Sequence, residues 1–117
     1  MLVREIRDIL DAELITGETG LDAEVKSACG SDMMSDVLAY VKDQSVLLTG
    51  LVNPQVVRTA EMMDMRCIVF VRGKKPDEAV VSLAAEHGIV LLCTEYRMFV
   101  ACGLLYSHGL AGGALKR

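Results

Sequence analysis

Residues 45–70, "SVLLTGLVNPQVVRTAEMMDMRCIVF", read as one strand, one helix and the start of a second strand. An apolar run from Val46 stops at Thr49-Gly50. Asn53-Pro54 then opens a helical pattern, with Asn53 as its cap and Pro54 in the first turn, where a missing N–H costs nothing. A second apolar run starts near Ile68 and a third, "GIVLLCT", near Val90, so the starts recur every 22 residues. Each run is continuously apolar, the pattern of a parallel strand covered on both faces. Helical stretches follow all three: "PQVVRTAEMMD", "PDEAVVSLAAEHG" and "RMFVACGLLYSHG". Pro76 is placed in the first turn of the second helix and Gly88 where that helix stops. A repeated strand–helix unit implies an α/β fold with a mostly parallel sheet and right-handed crossovers.

Upstream, "LVREIRDILDAEL" spaces Leu2, Ile6, Ile9 and Leu10 as a short amphipathic helix would. "AELITG" and "EVKSACG" read as two short strands around the turn-rich "GETGLD", expected to form an edge of the sheet. "SDVLAYVKD" adds a helix with Ser35 as N-cap. The expected organisation is one α/β domain over residues 1–110 and a flexible tail over 111–117.

The chain's 117 residues suffice for a single core. With 52% apolar residues but only 4% aromatic ones, that core must be built from Val, Ile, Leu, Ala and Met. The run Met62, Met63 and Met65, with Met33 and Met34, reads as adaptable packing. No apolar run approaches the ~20 residues that span a bilayer. Charges scattered through "MLVREIRDILDAE" leave no room for the apolar stretch of an export signal, so a cytoplasmic location is expected, with no membrane partner. A net charge of -4 argues against non-specific binding to nucleic acid. Cys29, Cys67, Cys93 and Cys102 form no zinc-type spacing, and three of them lie in apolar runs as small hydrophobes. Neither a metal nor a cofactor is implied.

In an open parallel sheet, ligands lie beyond the carboxyl ends of the strands, where helix N-termini present unpaired N–H groups. Three loops qualify, 49–53, 72–75 and 94–97. None carries a phosphate-loop or dinucleotide signature. The candidate ligand residues are Thr49, Gly50, Asn53, Arg72, Gly73, Lys74, Lys75 and Thr94, with the three cations of "RGKKPDE" at a helix start as the strongest feature. The plainer reading makes Asn53 a helix cap and Lys74-Lys75 a solvated turn, with Asp77 and Glu78 complementing the helix dipole. His87 and His108 precede Gly88 and Gly109 at helix ends, where an imidazole meets the C-terminal dipole. No nucleophile is paired with a base in any motif, so no catalytic residue is named and an enzyme is not expected.

The last helical stretch is apolar on every side from Met98 to Tyr106, leaving no face for solvent. Self-association accounts for this economically, and Met98, Phe99, Cys102, Leu105 and Tyr106 are the expected contacts of a homodimer.

The order "LITG", "SVLLTGL" with its helix, "IVFVRG" and then "VVSLAAEHGIVLLCTEYRMFVACGLL" resembles the DRTGG domain over nearly the whole chain. That family accompanies CBS modules in regulatory pyrophosphatases and the N-terminal part of some phosphotransacetylases, and its fold is similar to the N-terminal domain of HPr kinase/phosphorylase. Thr94, Phe99 and Ala101 match its "T…F…A" segment, "LVNP" stands where the family has Asp-Arg, and Val71-Arg72-Gly73 stands for Thr-Gly-Gly. The resemblance implies a dimerising regulatory or sensory domain without catalysis of its own, beside a partner enzyme. Its ligand would be an adenine nucleotide or another phosphorylated metabolite. An interaction or scaffold module without a small-molecule ligand is the alternative.

Overall fold

The structure, a computed structural model, describes residues 1–40 and 44–113. Its elements are α1 (Val3–Ile9), β1 (Glu13–Thr16), β2 (Ser27–Gly30), α2 (Met34–Tyr40), β3 (Ser45–Thr49), α3 (Pro54–Met62), β4 (Cys67–Phe70), α4 (Glu78–Glu86), β5 (Val90–Cys93) and α5 (Met98–Ser107), with one 3-10 turn at Glu18–Gly20. The strands form one five-stranded sheet in the order β1-β5-β4-β3-β2. β2, β3, β4 and β5 run parallel, and β1 alone is antiparallel, on β5. The recurring spacing becomes register, with offsets of 21 and 23 residues: Leu47, Ile68 and Leu91 lie side by side across β3, β4 and β5. The two short upstream strands do not share an edge. β1 closes one side of the sheet and β2 the other.

Every residue of β3, β4 and β5 is buried, as their unbroken apolar runs require. Strands β2 to β5 are laid down in spatial order, so right-handed crossovers put their connecting helices on one face. There Val37 of α2, Val56, Val57 and Ala60 of α3, and Val80 and Ala84 of α4 pack on Leu47, Ile68, Phe70 and Leu91. The opposite face, with Val46, Leu48, Val69, Val90 and Leu92, is covered by Val3, Ile6 and Leu10 of α1 with its C-cap and by Ala101 and Leu105 of α5.

Local signals mark most of the helix ends. Asn53 accepts the Val56 N–H at 3.3 Å with Pro54 in the first turn of α3, as expected. Asp77, not Pro76, begins α4: its carboxylate accepts the Val80 N–H at 3.1 Å, and Pro76 lies just outside. Ser35 is not a cap either. It lies inside α2, while the Ser31 hydroxyl accepts the Met33 N–H at 2.9 Å one turn earlier. The rest of the stretch read as helix, residues 41–43, lies outside the described residues.

At their C-termini, α1, α3, α4 and α5 close alike. The N–H groups of Ala12, Met65, Ile89 and Leu110 reach back to the carbonyls of Arg7, Ala60, Ala84 and Leu105, and the residue between turn and helix is left-handed. That residue is Asp11, Asp64, Gly88 or Gly109. His87 and His108 are the C-caps of the last two helices, as the sequence pattern implies. After α5 the chain stays attached: Leu110 is buried and the Ala111 carbonyl accepts the Ala28 N–H at 2.9 Å. Of the expected tail, residues 114–117 lie outside the described residues. No helix among the described residues is long and apolar enough to cross a membrane.

A helix stop at Asp64 carries a left-handed strain that glycine would not. Against this, glycine is the freer residue in the unfolded chain. Asp64→Gly should therefore stabilise the fold by a net of roughly 0.5–1 kcal/mol in urea unfolding. Gly88→Asp should lose about as much for the same reason. A side chain there meets nothing within 4 Å, so any larger loss would have another origin.

Candidate functional site

The parallel strands end together, and their loops are sewn to one another by backbone bonds. Val71 N–H reaches the Thr49 carbonyl at 3.0 Å, Thr94 N–H the Phe70 carbonyl at 2.9 Å, and Ser31 N–H the Leu48 carbonyl at 3.0 Å. Between β4 and β5 the path divides: the β4 loop leads to α4 on one face, the β5 loop to α5 on the other. A crevice at such a divergence is where open α/β sheets hold ligands.

The loop after β4 turns on Arg72 and Gly73, both left-handed with φ of 62° and 68°, and Lys74 N–H bonds back to the Val71 carbonyl at 3.2 Å, as in a type I′ turn. Such a turn favours Asn-Gly or Gly-Gly at its centre. Among the described residues, Arg72 is the one left-handed non-glycine residue that does not end a helix. Its side chain lies against Gly50. A methyl group added at Gly50 would sit 2.0 Å from a guanidinium nitrogen, so only glycine fits under Arg72 in this position.

Six of the eight candidate residues form two neighbouring groups. In the first, Thr49, Gly50 and Arg72 surround a carboxylate that the sequence pattern does not single out, Asp32. One Asp32 oxygen accepts from the Thr49 hydroxyl at 3.0 Å and the Gly50 N–H at 2.7 Å, and the other lies 3.8 Å from the Arg72 guanidinium. Thr49 is fully buried, and its hydroxyl also accepts the Leu51 N–H at 3.1 Å. In the second group, Gly73, Lys75 and Thr94 line a cleft of about 160 Å³ together with Asp11, Glu13, Cys93 and Glu95. Lys75 is spoken for there by Glu13, at 2.6 Å. The buried Thr94 hydroxyl donates to the Leu10 carbonyl at 2.8 Å and accepts from the Tyr96 N–H, which fixes the end of β5 to the end of α1. Burial pushes the Cys93 thiol up to about 11, Glu13 and Glu95 adding to the effect and Lys75 opposing it. At that value it is protonated near neutral pH. Asn53 is occupied as the α3 cap, and Lys74 is exposed.

The basic cluster of the sequence is thus interleaved with carboxylates. The signal for Asp32 is its position: it follows the glycine-ended β2, which joins the parallel set as its edge. Asp11 and Glu13 come from around the start of the antiparallel β1, whose N-terminal end lies beside the C-terminal ends of the others. The dimer residues divide as well. Phe99 and Tyr106 face outward, 87% and 68% exposed, with Val100 beside them, while Met98 and Cys102 are half-buried against the core. Leu105 lies inside the chain's own core, 1% exposed.

Comparison with known proteins places this geometry in a family. The DRTGG domain model matches residues 5–106, most of the chain. The chain belongs to the DRTGG domain family. Among solved structures, this DRTGG domain is similar to the crystal structure of the CBS and DRTGG domains of the regulatory region of Clostridium perfringens pyrophosphatase, in complex with its activator diadenosine tetraphosphate. The TM-score is 0.70 at 16% identity, over 89% of this chain and 45% of that one, so this DRTGG domain spans less than half of that chain. A search of curated proteins finds no match.

Two substitutions separate the floor of the first group from its lid. Thr49→Val leaves the Leu51 N–H without its acceptor inside the fold and should cost about 1–3 kcal/mol in urea unfolding. Arg72→Gly relieves the left-handed strain and loses only a half-exposed ion pair, so the net change should stay within about 1 kcal/mol.

Proposed function

We propose that this DRTGG domain is a non-catalytic regulatory module that pairs with a second copy of itself through the outer face of α5 and takes a phosphorylated metabolite, such as an adenine nucleotide, at the C-terminal ends of its strands. The observation that carries the reading is the exposure of Phe99 and Tyr106 on a helix with no polar face. Spacings of four and three residues put Phe99, Gly103 and Tyr106 on one stripe. Gly103 has open space above it, so the stripe is a notch between two aromatic rings. A two-fold pairing offers each ring to the same surface on the partner, the self-complementary contact that closed dimers use. Aromatic side chains are also the residues enriched at the centres of interfaces. The ligand half of the reading is supported by Arg72, held in a costly backbone conformation above Gly50 beside the β4–β5 crevice.

A second reading, an interaction module without a small-molecule ligand, is favoured by one observation: Arg72 and Lys75 already face carboxylates of the same chain. Thermal unfolding in the presence of nucleotides separates the two. A ligand at 100 times its Kd adds about 2.7 kcal/mol, which for a domain of this size raises Tm by roughly 10 °C. No shift with any phosphorylated compound would favour the second reading.

The dimer is tested by sedimentation at micromolar concentration, where a species of twice 12.7 kDa is expected. Phe99→Asp should give a folded monomer, because that position is solvent-exposed in the single chain. Leu105→Asp should not fold, since it buries an unpaired charge. A wild-type monomer would overturn the pairing.

A further inference from the structure

Resting on the proposed ligand reading, we infer that Asp32 is a built-in competitor for the phosphate group of that ligand. Three kinds of donor that bind phosphate converge on its carboxylate: a buried hydroxyl at 3.0 Å, a backbone N–H at 2.7 Å and a guanidinium at 3.8 Å. A carboxylate and a phosphate group both offer anionic oxygen acceptors to such donors. Donors and guest differ in how firmly they are held. Thr49 and Gly50 are buried at the end of a central strand. The Asp32 side chain is 45% exposed, and Arg72 is 47% exposed, so a ligand in water reaches both. Asp32 sits on the three-residue connector between the edge strand β2 and α2, a position that turns outward without breaking the ladder between β3 and β4.

With Asp32 in place the cradle is self-satisfied and closed to anions; with Asp32 out, Thr49, Gly50 and Arg72 hold a phosphate group. The apparent affinity is then the intrinsic affinity reduced by the fraction of time the cradle is free. A carboxylate in residence nine-tenths of the time weakens binding ~10-fold. The ligand's arrival is thereby tied to a movement of the β2–α2 connector.

Calorimetric titration of inorganic pyrophosphate into the 117-residue chain tests this, with the Gly50 amide resonance reporting where the anion sits. Asp32→Ala should bind at least ~10-fold more tightly than wild type, with the Gly50 amide shifting on addition. Asp36→Asn removes the same charge four residues away and should change affinity less than about two-fold, since screening blunts a distant surface charge. Equal affinity of wild type and Asp32→Ala, or an equal gain in Asp36→Asn, overturns the competition and leaves the ligand reading standing. Absence of binding by all three chains overturns both. Should Asp32→Ala fail to fold, Asp32→Asn keeps an acceptor oxygen without the charge. A smaller gain in that variant supports the competition, and no gain overturns it.

Discussion

The structure depends on three adjacent strands that have no exposed face. β3, β4 and β5 are buried along their whole length, so each side of the sheet needs a helical cover. One side receives it automatically, because the crossovers α2, α3 and α4 all fall there. The other has only α1 and α5, from the two ends of the described chain. α5 must be apolar enough to seal the strands beneath it, and a ten-residue helix made almost wholly of apolar residues turns aromatic side chains outward as well. The candidate interface is in this sense the far side of a helix whose near side the sheet demands.

The same constraint sets the functional edge. Because the strands are in register, their C-terminal ends are flush, and each loop reaches its neighbour by a backbone bond. Such loops have little freedom to shift their backbone, so the points from which their side chains start are fixed by turn chemistry. The left-handed residues sort themselves accordingly. Asp11 and Asp64 do what Gly88 and Gly109 do, letting the last turn of a helix close on its own carbonyls. Arg72 stops no helix: it carries the same strain in the turn after β4, beside Gly50, where it is paired with Asp32. Strain that stops a helix explains itself; strain that holds a guanidinium over a glycine points to what the guanidinium meets.

Much of the architecture is legible in the sequence because its signals are local or periodic. Continuous apolar runs at a regular spacing announce the parallel strands, and Asn53-Pro54, His87-Gly88 and His108-Gly109 announce helix boundaries by chemistry that acts within a turn. The misreadings share a cause. Pro76 suits a first helical turn, yet Asp77 beside it has a side chain able to accept an N–H, and that bond decides where α4 begins. Ser35 suits a cap because a hydroxyl before an apolar stretch is a fair sign, but the connector bonds one turn earlier at Ser31. α5 gives no direction at all: with no polar side, nothing in the order of residues tells Leu105, which is inside, from Phe99, which is outside. Asp32, Asp11 and Glu13 are invisible as site residues because their relevance depends on which sheet edge β1 and β2 occupy, a long-range choice that no short window contains.

One loop joins the C-terminal edge of the sheet to the aromatic face of α5. Residues 94–97 close the cleft through Thr94 and Glu95 and open α5 through Tyr96 and Arg97. The Tyr96 carbonyl accepts the Arg72 N–H at 2.8 Å, and the Thr94 carbonyl accepts the Gly73 N–H at 2.9 Å. The turn that carries Arg72 is thus bonded directly to the segment from which the aromatic stripe begins, with Tyr96 itself partly exposed at its start. Thr94 meanwhile anchors this segment to the end of α1, so the loop cannot move alone. Coupling between distant sites needs a contiguous element that both can bias. In this fold the shortest such element is a pair of backbone bonds between Arg72-Gly73 and Thr94-Tyr96.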